Sequence, residues 1–131
     1  MRNEIELTVS IDGVKQPARL FCESNPASID LVMGENFNKT YKDIDFYKCF
    51  GKIRKDNPDV KFLCKGSKLN VHPSSMSSQM TNGLKAYELT MGKKPSFDDV
   101  VYIFEYDDEN LTNDPEAQRA YFMQWIKSEK E

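Results

Sequence analysis

Ile5, Leu7, Val9 and Ile11 alternate with Glu4, Glu6, Thr8 and Ser10. Side chains switch faces at every residue of a strand, so this run predicts a half-buried β-strand. Asp12-Gly13 follows directly and suits a two-residue turn with positive φ at both central positions, which returns Val14 to Cys22 antiparallel. Pro17 has no N–H to give a ladder, which confines it to an edge or a bulge. Ser28 to Met33, with Ile29, Leu31 and Met33 on one face, predicts a third strand.

The period then changes. Tyr41, Ile44, Tyr47, Phe50 and Ile53 recur at helical intervals behind Thr40 and Asp43, which resemble a capping arrangement, until Asn57-Pro58. A helix over about 39–55 is expected, with Lys42, Lys48, Lys52, Arg54 and Lys55 on a basic outer face. Val60 to Cys64 and Lys68 to His72 flank Lys65-Gly66-Ser67 and suggest a second hairpin. Met76 and Met80 lie one helical turn apart before Asn82-Gly83, and Leu84 to Met91 has strand composition. Val100 to Phe104 suits a buried strand, although Ser96 and Asp99 equally suit a helix cap, so both readings stand. Asp114 at a cap, Pro115 at the first helical position, Glu116 in the first turn and then Ala117, Tyr121 and Trp125 on one face predict a helix over about 115–128. The sum is an α+β fold: an antiparallel or mixed sheet built from hairpins and packed against two main helices.

At 131 residues and 39% hydrophobic content the chain has enough apolar material for one core, and a single domain over 1–131 is expected. No run approaches the roughly 20 apolar residues of a membrane span, and the first residues lack the apolar stretch of a signal peptide. Cys22, Cys49 and Cys64 are odd in number and have no CxxC spacing, which fits reduced thiols in a cytoplasm.

Charge changes the picture most. Between Pro95 and Gln118 stand eight carboxylates and no Lys or Arg, in a chain whose 18 basic and 21 acidic residues sum to only -3. Asp98 and Asp99 suit a turn, and Asp114 and Glu116 suit a helix start. Glu105, Asp107, Asp108 and Glu109, with Tyr106 among them, are left without a structural role, so they are the candidate surface for a basic partner.

Other chemistry has less support. His72 with Cys64 or Ser74 is the only combination resembling a nucleophile and base, and no motif supplies the group that would orient the base. One His and three scattered Cys make no spaced ligand pairs for zinc, and Asp108 to Arg119 departs from a calcium loop at its sixth and twelfth positions. No glycine-rich phosphate loop occurs, so no cofactor is expected. The negative total charge argues against nucleic acid as a partner and leaves the Lys48 to Lys55 stretch as a solvated helix face.

The run Leu63-Cys64-Lys65-Gly66-Ser67-Lys68-Leu69-Asn70-Val71-His72-Pro73-Ser74-Ser75-Met76, then Gly83 to Leu89, Val101 to Phe104 and Gln124-Trp125, resembles small bacterial immunity proteins encoded beside polymorphic toxins of the Rhs and contact-dependent growth inhibition type. The resemblance covers about residues 59–125 and carries no residue-level site with it. It implies a cytoplasmic, non-enzymatic protein that binds and occludes the C-terminal toxin domain of a sibling cell's effector, a class of domain that includes nucleases with basic clefts. Read without the resemblance, the same features also fit an adaptor for a secreted effector or a small hydrolase built on His72.

Overall fold

The computed structural model describes residues 2–34 and 37–130, apart from the side chain of Phe37. Its first four strands form an antiparallel meander: β1 (Asn3–Ile11), β2 (Val14–Glu23), β3 (Ala27–Met33) and β4 (Phe37–Asp43). Helix α1 (Phe46–Asp56) crosses beneath β3 and β4, and β5 (Val60–Phe62) then pairs with the far side of β1, giving the order β4-β3-β2-β1-β5. A second antiparallel sheet joins β6 (Val71–His72), β7 (Lys85–Glu88) and β8 (Val100–Tyr102) in the order β6-β7-β8. Helix α2 (Ser75–Thr81) links β6 to β7, and α3 (Pro115–Lys127) ends the fold. The architecture is α+β, with every strand pair antiparallel.

The β1–β2 hairpin forms as its alternation predicts. Asp12 and Gly13 take φ of 53° and 79°, the values a turn of that type needs. Leu7 and Val9 on β1 and Ala18, Leu20 and Cys22 on β2 face the core. Pro17 is explained by register. It stands opposite Thr8, whose carbonyl instead accepts from Leu63 N at 3.0 Å, so the Thr8–Pro17 pair makes no ladder bonds between its own strands. The nitrogen of Pro17 therefore points away from β1, towards β3, and β3 pairs with β2 only from Arg19 onwards. The missing donor faces an open edge.

The predicted helix over 39–55 divides in two. Residues 37–43 form an edge strand in which Tyr41 lies opposite Ile29 and buries its ring, and α1 begins at Phe46 behind an Asp45 cap that accepts from Lys48 N at 2.7 Å. Thr40 and Tyr41 are good strand formers, whereas Asp45 is free to cap the helix and Ile44 at the joint is 71% exposed. Lys42 is accordingly a strand residue, and Arg54 is not on the outer face at all: it is fully buried. Phe50 makes the centre of the core, edge-on to Phe62 at 5.6 Å and to Phe104 at 5.3 Å, so one side chain holds the first sheet to the segment after β8.

The predicted hairpin between 60 and 72 also does not form. Val60 and Phe62 pair with Ile11 and Val9, while Val71 and His72 pair with Glu88 and Tyr87. Lys65–Ser67 is a 3₁₀ turn between them, and Gly66 allows a close approach there, since a Cβ would stand 3.0 Å from both Cβ and O of Ile103 and would push that segment away. At 96–104 both sequence readings apply to adjacent pieces: Ser96 and Asp99 form a capping box on the 3₁₀ turn Phe97–Asp99, and β8 follows it. Ile103 and Phe104 are buried just beyond the strand. Helix α3 carries the predicted Asp114 cap and Pro115 start, but its one fully buried side chain is Gln118, with Ala117, Tyr121 and Trp125 half-covered.

Asp45 joins α1 to α2. It is 2% exposed, caps α1 through Oδ1, and accepts the Ser78 hydroxyl through Oδ2. Asp45→Ala removes the cap and strands that hydroxyl, so we expect a loss of about 2 kcal/mol in denaturant unfolding, with Asp45→Asn costing less.

Candidate acidic edge and the groove between the helices

The segment after β8 is sewn to the 63–69 region by backbone bonds. Gly66 N donates to Ile103 O at 2.7 Å, Lys65 N to Glu105 O at 2.8 Å, Leu69 N to Asn110 O at 2.8 Å, and Thr112 N to Ser67 O at 2.8 Å. Isolated bridges join Cys64 to Tyr106 and Lys68 to Leu111. Residues 103–112 are thus a fixed ridge, although they contain no helix or strand.

The five predicted contact residues divide on this ridge. Asp107 departs from the expectation that they play no structural role. Its side chain is 17% exposed, and its Oδ2 lies 3.1 Å from Lys65 Nζ and 3.0 Å from Lys68 Nζ. Its Oδ1 accepts from Glu109 N at 2.9 Å. Partial burial opposes the charged form, but the Glu109 N–H and the two ammonium groups outweigh it, and the carboxyl is lowered to about 2. Glu88 completes the cluster at 3.4 Å from Lys68 and 3.8 Å from Lys65. The counter-charge for this carboxylate lies some forty positions away in sequence.

The other four stay open to solvent. The Glu105 side chain is 60% exposed and reaches Lys65 only at 3.8 Å. Tyr106 is 49% exposed, and its hydroxyl accepts from Lys15 Nζ at 3.0 Å. Asp108 and Glu109 are exposed, and Asp108 lines a groove of about 510 Å3 together with Lys15, Lys61 and Leu111. The result is an acidic and aromatic edge interleaved with the protein's own lysines.

Sequence periodicity did not reveal a second surface. Helices α1 and α3 flank a groove of about 450 Å3 whose lining includes Lys48, Lys52, Lys55 and Arg119, the acids Asp43 and Glu116, and Phe122. Lys52 is engaged by Asp43 at 3.2 Å, while Lys48, Lys55 and Arg119 make no ion pair among the described residues. The signal was present in Arg119, Phe122 and Met123, which share a face of α3, but nothing in the sequence says that this face meets the lysines of α1.

His72 is part of this groove. Its ring stacks on Phe122 at 4.0 Å and meets the edge of Tyr47 at 5.3 Å. Nδ1 lies 2.8 Å from the Pro73 carbonyl, which can only accept, so Nδ1 carries the proton and Nε2 is the free acceptor. Burial, reinforced by Lys48 and Arg119, holds its pKa below the ordinary histidine range. Cys64 and Ser74 are occupied elsewhere. Cys64 Sγ sits 3.6 Å from Ser67 Oγ with its thiol pushed up to about 11 by burial, and Ser74 Oγ accepts from Ser77 N at 3.0 Å as the cap of α2. The structure does not bring His72, Cys64 and Ser74 into one hydrogen-bonded set.

The Asp107 cluster has a pH signature. A carboxyl depressed in the fold contributes stability that is complete above its unfolded pKa, near 4, and that disappears as pH falls through about 2. Asp107→Asn is therefore expected to lose on the order of 1–2 kcal/mol at neutral pH, and the gap from the parent protein should narrow between about pH 4 and pH 2 in denaturant titrations. A gap independent of pH would mean that packing and not charge sets the effect. No protein-family model matches the chain, and no curated protein is detectably similar to it.

Proposed function

We propose that this chain is an immunity protein that neutralises a cognate toxin domain by stoichiometric occlusion, presenting Glu105, Tyr106, Asp108 and Glu109 to a basic surface of that toxin. The observation that carries the reading is a backbone held by the 63–69 region while Asp108 and Glu109 make no ion pair among the described residues and Glu105 makes only a long one, to Lys65. An edge fixed in this way loses little conformational entropy on binding, and its field favours fast encounter with an oppositely charged partner. Tyr106 supplies the amphipathic ring that anchors such interfaces. Asp107 contributes indirectly, by fixing the ridge through Lys65 and Lys68.

The rim of the α1–α3 groove favours a second reading, an adaptor that holds an acidic segment of a secreted effector through Lys48, Lys55 and Arg119. The two readings make opposite use of charge, and one experiment separates them. If the reading frame beside this one encodes a toxin-like C-terminal domain, that domain is purified and its association measured at several salt concentrations; a neighbour of another kind counts against the immunity reading. The triple change Glu105→Lys, Asp108→Lys and Glu109→Lys is expected to slow association about tenfold and flatten its salt dependence, with Lys48→Glu and Lys55→Glu leaving it unaltered. The reverse pattern supports the adaptor.

A further inference from the structure

Strand β1 is nine residues long, but β5 covers only part of one side of it. The β1–β5 ladder runs from Ile11 to Val9, and one further bond, from Leu63 N to Thr8 O, ends it. Because backbone groups of alternate residues point to opposite sides of a strand, the Thr8 carbonyl sets the direction for Glu6 and Glu4 as well. Their N–H and C=O groups point to the side that β5 leaves open, and no described residue makes a backbone bond to them there. Alongside this free run lies a groove of about 770 Å3. Asn3, Glu4 and Ile5 form one wall, and Phe46, Met80, Leu84 and Tyr102 are among the residues lining it. Tyr102 belongs to β8, which is itself the outer strand of the second sheet.

We propose that this groove is a β-augmentation site, in which an extended segment of a protein partner pairs with Asn3–Leu7 of β1. Main-chain bonds to Glu4 and Glu6 would supply affinity, and the alternation of the added strand would supply specificity. Its inward residues are apolar, since they meet Ile5, Leu84 and Tyr102. Its outward residues stand beside Glu4 and Glu6, both exposed, and Glu4 is the only ionised side chain lining the groove among the described residues. Arg19 is opposite Glu6 on β2 but makes no ion pair with it among the described residues. Lys or Arg at alternate positions of the incoming strand is the matching chemistry. A second copy of the chain is a poor occupant. Antiparallel pairing of β1 with itself over this run sets Glu4 and Glu6 against the same glutamates, and like charges directly opposite are destabilising. In that register charge disfavours self-pairing and favours a basic, alternating strand. This proposal does not depend on the role given to residues 105–109.

The test uses the full chain, labelled with nitrogen-15, and two short capped peptides, one of alternating Lys and Val and one of alternating Glu and Val. The Lys/Val peptide is expected to slow amide exchange at Glu4 and Glu6, with little change at Ile5 and Leu7, which already bond to β2. Glu4→Lys with Glu6→Lys should weaken its binding about tenfold. Glu6→Pro removes the outward N–H without touching the β1–β2 ladder, and should abolish the protection while Ile5 and Leu7 stay protected. Lys15, Lys61 and residues 105–109 serve as the control surface: binding that survives Glu6→Pro, or that shifts only residues 105–109, overturns the site. Equal binding of the Glu/Val peptide overturns the charge assignment and the proposal with it.

Discussion

The fold turns on a buried cation with no anion beside it among the described residues. Arg54 is fully buried, and no carboxylate lies within ion-pair distance of it among the described residues. Its charge is solvated instead by neutral oxygen and by an aromatic face: Nη2 donates to Gln118 Oε1, Nε to the Thr112 carbonyl at 3.2 Å, and the guanidinium lies 5.0 Å from the centre of the Phe50 ring. Nη1 has no hydrogen-bond partner among the described residues. Burial lowers the pKa of Arg54, yet a guanidinium keeps its proton in proteins. The surroundings must therefore be held in place to tolerate it. Gln118 does this from the other end, donating through Nε2 to the carbonyls of Gly66 at 2.9 Å and Lys68 at 2.8 Å. One amide joins α1, α3 and the 3₁₀ turn.

That clasp reaches the proposed acidic edge through a short chain of contacts. The turn held by Gln118 carries Lys65 and Lys68, those lysines hold Asp107, and Asp107 fixes the backbone of Glu109. The same turn bonds Ile103, Glu105 and Thr112 by their backbones. The position of the exposed carboxylates is thus inherited from a contact inside the core. The arrangement also accounts for the polarity of the chain. Some of the basic surplus outside 95–118 lies next to the acids, as Lys15, Lys65 and Lys68, and some lies apart, on the rim between α1 and α3.

Local signals in the sequence were legible and long-range ones were not. The β1–β2 hairpin and the start of α3 rest on alternation, turn chemistry and caps that act within a few residues, and the structure has them where the sequence puts them. The division of 39–55 into β4 and α1 was hidden because Tyr41 falls in phase with both periods, and only pairing with Ile29 decides which one it obeys. The partners of Val60 and Val71 were hidden for a related reason. An apolar run reports that it is buried, not which strand covers it, and here the partners are Ile11 and Glu88. Arginine is rarely buried, which points Arg54 to solvent, although its spacing of four from Phe50 and seven from Tyr47 places it on the apolar stripe of α1. Of the candidate site, Glu105, Tyr106, Asp108 and Glu109 were legible as an exposed acidic edge. The internal use of Asp107 was not, since Lys65 and Lys68 are brought to it only by the fold.

A double-mutant cycle on Arg54 and Gln118 tests the dependence on the clasp most directly, with Arg54→Met, Gln118→Leu and the pair compared by denaturant unfolding. Each single change leaves a buried polar partner unsatisfied and should cost on the order of 2–3 kcal/mol, while the double change should cost less than their sum by about 1 kcal/mol or more. Losses that add to within about 0.3 kcal/mol would contradict the claim that the two side chains act as one unit.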